Sequence, residues 1–145
     1  MSIDSSRITV EELRLMSAFS ELTRCTAYRC IIDSENNRVI FLVDKSDYGR
    51  AVGKNGKNVR ILSQVFKRPV EIVRYPDKLE EMIRYLFPAE SIENFELQES
   101  REGKVLIIKI REEYKGRAIG KNGRNIKRAR LLLKTLFGIS RVQVR

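Results

Sequence analysis

The residues best placed to do chemistry are glycines, lysines and asparagines in a motif that occurs twice. Gly49-Arg-Ala-Val-Gly-Lys-Asn-Gly-Lys-Asn-Val59 recurs 67 residues later as Gly116-Arg-Ala-Ile-Gly-Lys-Asn-Gly-Arg-Asn-Ile126. Eight of the eleven positions are identical, and the rest are Val/Ile, Lys/Arg and Val/Ile exchanges. Six of the chain's eight glycines lie in these copies, so glycine serves one purpose, twice. Glycine permits backbone angles closed to other residues and lets a second backbone come close. A helix that starts at such a loop aims its free N–H groups and positive dipole end at whatever lies there. Lys54 and Lys121 add a full charge at the tip. That assembly suits an anionic phosphodiester backbone.

The same glycines fit no nucleotide-hydrolysing loop. A Walker loop has four residues between its glycines and then Lys followed by Ser or Thr. Here three residues separate Gly49 from Gly53, and Asn55 follows Lys54; the second copy departs in the same way. The dinucleotide GxGxxG pattern is absent as well. There is no His, which removes Ser-His-Asp and Cys-His catalysis and His-ligated zinc. Cys25 and Cys30 are five apart, neither a redox CxxC nor a usual zinc spacing, and read as small buried residues. No cofactor, metal or catalytic group is expected, and the chain reads as a non-enzyme.

Composition sets the frame for these motifs. The 145 residues suffice for one ordinary domain or two very small ones. Lys and Arg outnumber Asp and Glu by 29 to 19, a formal net charge of +10, which calls for an anionic partner. Apolar residues make up 42%, enough for a packed core. No apolar run approaches the roughly 18 residues of a membrane span. Met1-Ser-Ile-Asp-Ser-Ser lacks the basic and apolar regions of a signal peptide, so a cytoplasmic protein away from membranes is expected.

The flanks of the motif repeat in pattern. Thr9-Val-Glu-Glu12 is a capping-box signature, followed by Val10, Leu13, Met16, Phe19 and Leu22 at every third position, as on one helix face. Asp77-Lys-Leu-Glu80 is the matching start in the second half. There Leu79, Met82, Ile83, Leu86 and Phe87 follow helical spacing and Pro88 stops the helix. Two β-like runs come next in each half, about 26–33 and 38–44, then 92–99 and 104–111, separated by turn residues. The glycine motif follows, then an amphipathic helix, then a last strand at 70–74 or 139–144. In the first such helix Val59, Leu62, Val65 and Phe66 form the apolar stripe. In the second Ile126, Ala129, Leu132, Leu133, Leu136 and Phe137 pack, with Arg124, Lys127, Arg128 and Lys134 outward. From Lys115 to Lys134 there are eight basic residues and no acidic one. The expected architecture is α+β: two modules, residues 1–75 and 76–145, each a three-stranded sheet with helices on one face. With no Gly/Ser-rich linker near Tyr75-Pro76, the modules are expected to pack closely and to engage one continuous anionic strand.

Val52-Gly-Lys-Asn-Gly-Lys-Asn-Val59 and Ile119-Gly-Lys-Asn-Gly-Arg-Asn-Ile126 resemble the signature of the KH RNA-binding domain, whose loop clamps a stretch of about four nucleotides. The extra helix and strand lie ahead of the motif in both halves, and the chain ends at Arg145 straight after the last strand. That order resembles the type II KH arrangement. A tandem pair with this motif is similar to the KH pair of the NusA family of transcription termination and antitermination factors, over roughly residues 5 to 145. Bacterial members add a polymerase-binding domain and an S1-type barrel that this sequence lacks; the short form resembles archaeal NusA-like proteins.

The resemblance implies a monomer that binds single-stranded RNA in transcription elongation or termination, with RNA polymerase or its elongation complex as protein partner. A ribosomal or ribosome-assembly KH protein is the alternative. Gly53, Gly56, Gly120 and Gly123 would admit the RNA backbone, and Lys54 and Lys121 would contact phosphate. Asn55 and Asn122 would shape the loop or donate hydrogen bonds. Lys57, Arg60, Arg124 and Lys127 would extend the basic track. Arg50 and Arg117 are secondary candidates. Val52, Val59, Ile119 and Ile126 are candidates for an apolar groove floor, with Val59 and Ile126 read as core. Tyr48 and Tyr114 lie near the loops, but one Tyr at each is a poor stacking platform.

Overall fold

A computed structural model describes residues 8–145; the Met1–Ser6 stretch read above for a leader lies outside them. The chain divides into two compact units between Tyr75 and Pro76. The first begins with α1, Val10–Thr23. Its capping box forms as expected: Thr9 Oγ1 accepts from the Glu12 N–H at 3.0 Å, and Glu12 Oε1 accepts from the Thr9 N–H at 2.8 Å. The apolar face does not follow the expected stripe. Leu15, Phe19 and Thr23 are the buried residues of α1, while Val10 (65% exposed), Leu13 and Leu22 face solvent. Residues three apart drift by about 60° per step on a helix, so five of them wind most of the way round it. The i, i+4, i+8 series stays on one side.

Strands β1, Ala27–Asp33, and β2, Arg38–Val43, pair antiparallel, and β3, Val70–Arg74, lies parallel to β2 on its other side. The parallel crossover holds two helices, α2 (Tyr48–Val52) and α3 (Lys57–Phe66), with the first glycine motif between them. Leu15 and Phe19 of α1, Ala51 of α2 and Leu62 of α3 form one core cluster with Cys30, Val39, Phe41, Val43, Val70 and Ile72. Phe19 stacks on Phe41 with centroids 4.4 Å apart. Each Val, Leu, Ile or Phe buried in this way contributes about 1.5–3 kcal/mol. Val59 and Phe66 are half-buried against this cluster, but Val65 is exposed, which trims the expected α3 stripe to Val59, Leu62 and Phe66. Both cysteines are buried free thiols, and burial pushes Cys30 up to about 12, which leaves it inert.

The second unit repeats the order. It runs α4 (Leu79–Leu86), β4 (Ile92–Ser100), β5 (Gly103–Ile110), α5 (Lys115–Ile119), α6 (Arg124–Phe137) and β6 (Ile139–Val144). β4 and β5 are antiparallel, β5 and β6 parallel, with β5 central. Met82, Ile83 and Leu86 are buried, as is Phe87 just past the helix end. The start of α4 differs from the expected cap. Lys78 is the N-cap residue and makes no side-chain cap bond; instead Glu81 Oε1 accepts from the Asp77 N–H at 2.9 Å. α6 buries Ile126, Ala129, Leu132 and Leu133. Among the described residues no helix is long and apolar enough to cross a membrane.

Candidate nucleic-acid interface

Each glycine motif folds as a corner between a five-residue helix and a longer one. Gly53 closes α2 by donating its N–H to Gly49 O at 3.0 Å, and the Gly56 N–H then returns to Gly53 O at 3.1 Å. In the second unit Gly120 and Gly123 make the same bonds at 2.9 and 3.0 Å. Gly53 has φ 81°, ψ 165° and Gly120 φ 80°, ψ 165°, a region open essentially to glycine alone. A Cβ at Gly53 would lie 3.0 Å from Asn58 Cγ, and one at Gly120 only 2.8 Å from the Asn125 backbone nitrogen. The second helix therefore presses directly on the first glycine of each loop. Asn55 (φ 54°) and Asn122 (φ 57°) take the left-handed conformation at the tip, which Asn tolerates better than most residues.

The corner puts the expected residues outward. Lys54, Asn55, Lys57 and Arg60 are exposed in the first loop and helix, and Lys121, Asn122, Arg124 and Lys127 in the second. Gly53, Gly56, Gly120 and Gly123 are partly accessible between them. Gly56 and Gly123 are the N-cap residues of α3 and α6, and neither helix start carries a side-chain cap. The first-turn N–H groups and the positive helix end are thus directed at the loop, beside the lysines. Arg60 also serves its own loop: its Nη1 donates to the Asn55 carbonyl.

The secondary candidates are otherwise engaged. Arg50 pairs with Asp47 at 2.8 Å, and its Nε donates to Cys25 Sγ at 3.3 Å. The Arg117 guanidinium lies 5.5 Å from the Tyr114 ring centroid, and Tyr48 lies under Arg74 at 3.8 Å. Val52 and Val59 pack against the first core and Ile126 is buried. Ile119 is 44% exposed and lines a shallow cleft with Ile126, Arg130, Val142 and Val144.

Two further residues matter to the site and were not singled out from the sequence. Asn58 donates from Nδ2 to Arg50 O at 3.2 Å, bracing the end of α2 against the start of α3. Asn125 does the same to Ala118 O at 2.9 Å and also reaches Leu86 O at 3.0 Å, while its Oδ1 accepts from Arg128 Nη2 at 2.9 Å. Their identity in both copies of the motif was the available signal.

Two small α+β units, each with a Gly-x-x-Gly corner between helices, define a KH protein. The KH domain model matches residues 15–84 and again 78–145, and the chain belongs to that family. It is similar to the probable transcription termination protein NusA of Methanocaldococcus jannaschii, 29% identical over 95% of this chain and 74% of that one. The protein of the same name from Halobacterium salinarum is 28% identical, over 95% of this chain and 97% of that one. The crystal structure of APE1850 superposes with a TM-score of 0.86 at 46% identity, over 95% of this chain and 100% of that chain.

Proposed function

We propose that this chain is a non-catalytic factor that binds single-stranded RNA at both glycine corners and acts in transcription elongation or termination, with the RNA polymerase elongation complex as its partner. One observation carries the reading: two corners with the same backbone angles each bring an exposed lysine and an uncapped helix start to one point. Such a point binds phosphate, and a loop that grips one backbone favours an unpaired strand. Gly53, Gly56, Gly120 and Gly123 give the RNA backbone close approach, and Lys54 and Lys121 contact phosphate. Lys57, Arg60, Arg124 and Lys127 continue the positive track. The role in transcription is supported by the NusA-named relatives.

The test is direct binding to an unpaired RNA strand and to a hairpin stem of the same length. Tighter binding to the unpaired strand is expected. Equal affinity for the two removes the single-strand mechanism.

A further inference from the structure

The first unit carries an aromatic pair that the glycine corners do not use. Tyr28 is 53% exposed and Tyr75 40% exposed, and their rings meet edge to face with centroids 5.6 Å apart. Tyr28 is the extra residue of a bulge in β1: Ala27 pairs with Val43 and Arg29 with Leu42, leaving Tyr28 outside the ladder. Bulges re-aim side chains. The Tyr28 hydroxyl donates to Asp44 Oδ1 at 3.3 Å, and the Tyr75 N–H donates to Val43 O at 2.7 Å. Both tyrosines are therefore hung from residues 43 and 44, at the end of the central strand.

That end of β2 is where the chain leaves the sheet for the first glycine corner. Asp44 caps the turn Lys45–Asp47, accepting from the Ser46 N–H at 2.9 Å, and α2 and Gly53 follow directly. The Asp44 carboxylate beside Tyr28 also raises the phenol pKa. The second unit has the same bulge without the aromatics. Ile92 pairs with Ile110 and Asn94 with Lys109, so Glu93 is the extra residue, and it pairs with Lys109 at 3.4 Å and Arg111 at 3.9 Å. The bulge itself thus demands no tyrosine, and neither Tyr28 nor Tyr75 belongs to the buried core.

We propose that Tyr28 and Tyr75 form a stacking ledge for an unpaired nucleobase of RNA held at the first glycine corner, a base site that the second unit lacks. The proposal rests on the RNA-binding reading above. Every nucleobase offers a π-face, so the ledge tolerates any sequence and adds affinity rather than base choice.

The chain has no tryptophan, so Tyr28→Trp places a single reporter on the ledge. Titration with single-stranded oligoadenylate of about twelve nucleotides, enough for both loops, is expected to quench its emission. The combined Tyr28→Ala and Tyr75→Ala variant is expected to bind about 5- to 150-fold more weakly, the equivalent of ~1–3 kcal/mol for one stacked base. Tyr28→Phe in place of Tyr28→Ala, which restores the ring alone, is expected to recover most of that loss. Unquenched tryptophan at saturating oligoadenylate, or an alanine pair that binds as tightly as the native chain, overturns the ledge. If the alanine pair fails to fold, the tryptophan readout decides. Failure of the native chain to bind oligoadenylate at all overturns the RNA reading and the ledge together. Native binding that weakens on reversing the loop charges but not on removing the tyrosines overturns the ledge alone.

Discussion

The two glycine corners share a backbone and differ in what holds it. Gly53 and Gly120 agree within a degree in φ, and Asn55 and Asn122 within a few degrees. In the first corner Asn58 spans one carbonyl and Arg60 ties down the loop tip. In the second, Asn125 spans two carbonyls, one of them in α4, and receives Arg128. The basic run is also denser in the second unit, eight basic residues over 115–134 against six over 48–68. The shared glycines impose the corner, and each unit has built its own brace around it.

The sharpest break of this comparison is alanine at the first glycine of either loop. Gly120→Ala places a Cβ 2.8 Å from backbone in a conformation reserved for glycine, and is expected to cost about 2–4 kcal/mol in denaturant unfolding. Gly53→Ala meets a side chain and backbone at 3.0–3.1 Å and is expected to cost somewhat less. The braces come next. Asn125→Ala removes a donor from two carbonyls and an acceptor from Arg128 and is expected to cost about 2–3 kcal/mol, against about 1 kcal/mol for Asn58→Ala. Equal losses would show that the α4 and Arg128 contacts together contribute nothing. The smallest effect has the opposite sign. A Cβ at Gly49 or Gly116 meets nothing within 4 Å, and both positions lie inside helices. Gly116→Ala is therefore expected to stabilise by about 0.5–1 kcal/mol, read as a higher melting temperature.

Element order was legible in the sequence because each signal was local. The β-branched runs at 38–43 and 104–110, the repeated glycines and the Thr9 capping box each act within a few residues. The loops were legible for the same reason, since Lys54 and Lys121 are exposed by the turn itself. What escaped depended on distance. The Asn125 to Leu86 bond joins α6 to α4, and no local spacing announces it. The Tyr28–Tyr75 pair forms only when β1 and β3 flank the same end of β2. The α1 stripe misled in part because an every-third series looks helical over two turns and then leaves the face, so the core kept Phe19, with Met16 at its edge, and took Leu15 in place of Val10, Leu13 and Leu22.

The central claim is that both corners grip an RNA backbone through their loop charges. Its most direct test is the affinity for one unpaired RNA strand, measured across salt, of the native chain, of Lys54→Asp with Asn55→Asp, of Lys121→Asp with Asn122→Asp, and of all four together. The tips are exposed, so stability should change by no more than about 0.5 kcal/mol per loop. Native binding should fall with salt at a log–log slope of about −3 to −4, from four to six phosphates at about 0.7 each. Each loop reversal should weaken binding and flatten that slope, and the combined variant should lose most of both. A folded combined variant that binds with native affinity and native salt dependence would contradict the account.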